Sequence, residues 1–118
     1  MKITLPEGYI FDILSIYQVK ILKAPENTTN YDNFNKLLAE ITVEIGHEKA
    51  ISIIESKEYD DLCQANLQTF ELVDAVKSNT CLGGEVDASN YKRFLAKKAL
   101  QEKWFNNTYS EIKIGYSE

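Results

Sequence analysis

The segment Tyr9–Leu22, YIFDILSIYQVKIL, constrains this chain more than any other. Laid out at about 100° per residue it is apolar nearly all round, so as a helix it needs neighbours on most sides. It belongs at the centre of a domain, not on its rim. Two of its few polar residues, Asp12 and Ser15, fall between Ile16, Val19 and Leu22. Both are therefore expected to be at least partly buried, and a buried carboxylate needs a partner.

The breakers set out the remaining elements. Prolines stand at 6 and 25 and glycines at 8, 46, 83, 84 and 115. The first helix runs from about Tyr9 to Lys23, because Pro25 disfavours helix at the residue before it. A second helix opens after ENTTN, with Thr28, Thr29 or Asn30 as the cap. Phe34, Leu37, Leu38, Ile41 and Ile45 form its apolar stripe, and Gly46 stops or kinks it. HEKAISIIES reads as a short helix of its own. A third main helix covers about Lys57–Lys77, and a fourth runs from a cap at Asp87 or Ser89 to about Phe105. In the tail, Ile112, Ile114 and Tyr116 alternate, which predicts an extended strand-like segment along the bundle or paired at an edge. The expected fold is one all-α domain over residues 1–118: a bundle of about four helices, antiparallel because the links are short, with an extended C-terminal tail.

Composition narrows the function. With 118 residues the chain can bury a single core. Its net charge of −5 argues against general nucleic-acid binding, which needs a basic field. No apolar run reaches membrane-spanning length, and MKITLPEGYI has no signal-peptide pattern, so a cytoplasmic protein is expected. Cys63, within a helix, and Cys81, in the turn SNTCLGG, read as reduced thiols. One histidine and no Cys-x-x-Cys leave no structural zinc set, and no metal or cofactor is expected. His47 follows Gly46 at a helix junction and reads as a surface or capping residue. The glycosylation patterns NTT and NNT are incidental without a secretion signal.

Against the acidic total, Val86–Phe105 (VDASNYKRFLAKKALQEKWF) carries five of the thirteen Lys and Arg residues, including Arg93, the single arginine. Lys92 and Lys103 share a solvated face with Ala96 and Ala99. Asn90, Arg93 and Lys97 share another with Leu100 and Trp104, flanked by Phe94. In the third helix, Asn66 lies inside the apolar stripe of Leu62, Phe70 and Val73, with Asp74 and Lys77 at its margin. Two readings follow. Asp12, Asn66, Asp74, Arg93 and Lys97 pair with one another and fix helix register. Alternatively, Asp12, Ser15, Asn66, Asp74, Asn90, Arg93 and Lys97 line a pocket for a small anion, since the planar fork of arginine binds a carboxylate or a phosphate in bidentate fashion.

Three patches carry a resemblance. GYIFDILSIYQVKIL resembles the G-E-L-V-D-K-L-T-I-L-E-I-K opening of a small bacterial and phage family, a domain of unknown function. Gly8, Asp12, Ile16 and Lys20 match, and Ser15 stands for Thr. NLQTFELVDAVK is similar to its N-x-x-L-W-x-x-E-D-x-I-R, with Asn66 and Asp74 matching. NYKRFLAKK is similar to its N-D-x-R-x-x-I-K, with Asn90, Arg93 and Lys97 matching, and the tail SEIKIGY to its E-x-K-x-Y. Ile13, Gln18 and Val73 replace charges that the family carries. The resemblance implies a helical fold and these polar positions, and no particular reaction.

Glu55, Glu58, Glu71 and Asp74 formally fit the E-x-x-E…E-x-x-D pattern of MazG-like nucleotide pyrophosphohydrolases, whose carboxylates hold Mg²⁺. No nucleophile, phosphate-loop or dinucleotide motif is present. The leading expectation is a non-enzymatic accessory or assembly protein acting through a homodimer or a protein partner. The alternative is a phosphate- or nucleotide-handling protein built on Arg93 and Lys97, in its strongest form a Mg-dependent pyrophosphohydrolase-like enzyme.

Overall fold

The computed structural model describes residues 2–77, 83–105 and 111–115. Seven elements follow one another along the chain: β1 (Lys2–Pro6), α1 (Glu7–Lys23), α2 (Thr28–Ile45), α3 (His47–Ile54), α4 (Lys57–Lys77), α5 (Gly83–Phe105) and β2 (Glu111–Gly115). The fold is all-α, with five helices among the described residues; the short helix read at HEKAISIIES is α3, His47–Ile54. Cys81 and residues 78–82 of its expected turn lie outside the described residues, while Gly83 and Gly84 of that turn already belong to α5.

α1 is the hub, as its all-round apolar sequence requires. It touches α2, α4, α5 and both strands. Ile10, Phe11 and Leu14 are fully buried against Leu37 and Ile41 of α2, Ala50 and Ile53 of α3, Tyr59 and Leu62 of α4, and Leu100 and Phe105 of α5. Phe11 stands edge-on to Tyr59, with ring centroids 6.3 Å apart, and 6.4 Å from the ring of Phe105. That geometry suits aromatic quadrupoles.

Helix starts differ from the expected ones in instructive ways. Asn27, not a threonine, caps α2: its Oδ1 accepts from the amide of Thr29 at 3.1 Å. Thr28 is already helical. Pro6 occupies the N-cap of α1 and offers no side-chain acceptor. The free amide of Gly8 donates instead to Gln101 Oε1 of α5 at 2.7 Å, and Gln101 Nε2 donates to Glu7 Oε1 at 3.2 Å. A tertiary contact thus satisfies an orphan helix-end donor. Gly8 also lets the helices close up: a Cβ there would lie 3.2 Å from the Lys97 carbonyl oxygen. α5 begins at Gly83, before the expected caps Asp87 and Ser89. Gly46 separates α2 from α3 at φ 91°, ψ 151°, a conformation reserved almost wholly for glycine.

The tail is extended over Glu111–Gly115 and pairs antiparallel with β1, Ile3 opposite Ile114. This ribbon joins the two ends of the chain beside α1 and α2. No helix among the described residues is long and apolar enough to cross a membrane.

Candidate functional site

The polar positions singled out in the sequence converge where α1, α4 and α5 meet. Asp12 is buried, at 6% exposure. Its Oδ1 accepts from Asn66 Nδ2 of α4 at 2.9 Å. Its Oδ2 lies 3.3 Å from Arg93 Nη2 and 3.6 Å from Lys97 Nζ, both on α5. The Ser15 hydroxyl donates back to the Asp12 carbonyl at 2.7 Å and accepts from Asn66 Nδ2 at 2.6 Å. Spacing explains the convergence. Asp12 and Ser15 lie three apart on α1, and Arg93 and Lys97 four apart on α5, so each pair shares a face.

Energetics explain the pairing. A carboxylate taken out of water costs several kcal/mol unless charge and hydrogen bonds replace its hydration. Here one buried carboxylate meets two cations and an amide donor. Lys97 is further held 4.1 Å above the ring of Tyr9. Arg93 Nη1 donates to Asn90 Oδ1 one turn back at 3.1 Å. Arg93 Nε is enclosed and has no hydrogen-bond partner among the described residues.

Of the seven candidate residues, Asp12, Ser15, Asn66, Arg93 and Lys97 form this network, and Asn90 joins it from its exposed rim. Arg93 and Lys97 both reach the carboxylate of Asp12. Asp74 is exposed and lines, with Arg93, Asn66, Phe70 and Val73, a cavity of about 330 Å³. A second cavity, of about 250 Å³, is lined by Tyr9, Phe94, Lys97 and Lys98. Arg93 and Lys97 thus open onto different cavities. The single basic stripe expected from sequence is two cations held back to back by Asp12.

Other expected groups disperse. Glu71 pairs with Lys23 at 2.8 Å, tying α4 to α1 on the surface. Glu55 terminates α3, while Glu58 opens α4. Among the described residues, no three His, Cys, Asp or Glu side chains converge to hold a metal ion. His47 is exposed at the start of α3.

The chain matches no family model, no curated protein and no solved structure.

Several buried polar contacts had no sequence signal that singled them out. Thr69 and Ser89 hydroxyls meet at 2.6 Å between α4 and α5, so the residue read as a cap is a buried bridge. Tyr59 donates its hydroxyl to Gln18 Oε1 at 2.8 Å. Beside it, burial pushes the Cys63 thiol up to about 11, and burial likewise raises the Tyr59 phenol. Both groups are neutral acids whose ionisation the fold opposes. Folding stability should therefore fall as pH rises above about 9, the ordinary thiol value, and the Cys63 contribution should level off beyond about 11. The same shift predicts slow chemistry. At pH 8, iodoacetamide should alkylate Cys63 at least about ten-fold more slowly in the folded chain than in urea. Peptide mass spectrometry resolves Cys63 from Cys81. Equal rates would mean that the thiol is not sheltered.

Proposed function

We propose that this protein is a non-enzymatic helical accessory or assembly subunit that acts through protein contacts. The observation that carries the reading is the outer face of α5. Tyr91 is 62% exposed, Phe94 53% and Leu95 45%, although they lie side by side on one helix. Scattered apolar residues are ordinary on a protein surface, but a contiguous aromatic patch marks an interaction site. The polar network supports the same reading, because Asp12 already occupies both cations that an anion would need. This reading takes the molecule as an antiparallel bundle working in the cytoplasm.

The cavity beside Arg93 favours a second reading, a site for phosphate or a nucleotide. A thermal-shift screen with phosphate, nucleotides and sugar nucleotides, each with and without Mg²⁺, separates the two. A ligand at one hundred times its Kd adds about 2.7 kcal/mol of stability. We expect no shift with any of them, and a lower Tm for Arg93→Gln because Asp12 loses a partner. A shift in the wild type that disappears in a still-folded Arg93→Gln would overturn the protein-contact reading.

A further inference from the structure

The exposed stripe on α5 has a self-complementary order. Asp87, Tyr91, Phe94, Leu95 and Lys98 fall within about 100° of the helix circumference, and all five are exposed. The stripe carries Asp87 at its N-terminal end, two aromatic rings in the middle and Lys98 toward its C-terminal end, where Lys98 also lies 4.0 Å from the exposed Glu102. Its order is also symmetric. The midpoint between Tyr91 and Phe94 coincides with the midpoint between Asp87 and Lys98. An identical helix laid antiparallel across it therefore brings Tyr91 against Phe94 of the partner subunit and Lys98 against Asp87 of the partner subunit. Each contact then occurs twice, as two-fold symmetry requires.

On this basis we infer that the occupant of the α5 face is a second copy of this chain, related by a two-fold axis near Lys92 and Arg93. The inference rests on the protein-contact reading and names its partner. Neither residue nearest the axis opposes the pairing. Lys92 lies off the stripe, and Arg93 is turned inward to Asp12. The cavity of about 250 Å³ bounded by Phe94, Lys98 and Tyr9 opens beside the stripe and is the socket for the partner's Tyr91 ring. Within one chain, Tyr91 and Phe94 already stack with centroids 6.3 Å apart, so the dimer extends an existing aromatic pair. A single helix pair covers less than the roughly 800 Å² per partner of a standard interface. The dimer should therefore dissociate on dilution.

Sedimentation and light scattering over about 1–500 µM test it directly. The expected result is a concentration-dependent rise from 13.5 kDa toward twice that mass. Asp87→Lys alone and Lys98→Asp alone should each weaken dimerisation at least about ten-fold, since each creates two like-charge pairs per dimer. Mixing these two variants should restore it, because both charged contacts are then complementary again. All substituted positions are exposed, and circular dichroism verifies that both variants fold. A wild type that stays monomeric throughout, or a dimer indifferent to both charge reversals, overturns the inference. A monomer that also shows no ligand-induced thermal shift leaves the protein-contact reading standing with a different partner, whereas a ligand shift removes that reading whatever the oligomeric state.

Discussion

Asp12→Leu is expected to cost about 3–5 kcal/mol of folding stability, the usual penalty for removing one member of a buried charge set. The substitution strands Arg93 and Lys97, whose side chains are only 26% and 20% exposed, against an apolar helix. It also takes one of the two acceptors of Asn66 Nδ2, leaving Ser15. The decisive comparison is the triple variant Asp12→Leu, Arg93→Met, Lys97→Met. Replacing all the charges together with apolar groups should recover most of the loss, because no unpaired charge remains. Urea unfolding with an unchanged slope reads both effects. A loss under about 1 kcal/mol for Asp12→Leu would show that the cations reach water freely, and the network would not be a stability element.

Phe11→Ala is the second large effect, expected at about 3–5 kcal/mol. Its ring is fully buried at the crossing of α1, α4 and α5, between Tyr59 and Phe105. Removing it opens a void that these two rings cannot both fill, and forfeits two aromatic contacts. A domain of this size has about 5–15 kcal/mol in all, so the variant should unfold at far lower urea and much lower temperature. Phe11→Leu should cost markedly less, because it keeps most of the volume. If alanine and leucine behave alike, the ring contacts contribute little and the helix crossing tolerates repacking.

Much of this architecture was legible in the order of residues. An all-round apolar α1 had to be central, and it is the hub that α2, α4, α5 and the strands touch. Helical spacing put Asp12 with Ser15 and Arg93 with Lys97. A carboxylate in an apolar helix then called for a cation, and α5 supplies two. The alternation in the tail foretold a strand over Glu111–Gly115. These are local properties: periodicity, breakers and the energetic need to pair buried charge act within a helix or two.

What tertiary structure decided is which apolar face gets covered and which polar residues meet. Periodicity shows that Leu62, Phe70 and Val73 share a side of α4, yet only Leu62 is fully buried; Phe70 and Val73 edge onto an open cavity. Phe94 looked like a flank of the buried face and instead stands in solvent with Tyr91. The stripe records direction, not whether another helix lies opposite. The strand at Lys2–Pro6 could not be seen because its partner is at the other end of the chain. Gln101, Glu7, Thr69 and Ser89 are ordinary polar residues until the α5 crossing brings them to α1 and α4. Asp12 as the shared anion of Arg93 and Lys97 is decided the same way. Local sequence sets what each helix needs, and only the crossing of helices determines which neighbour meets that need.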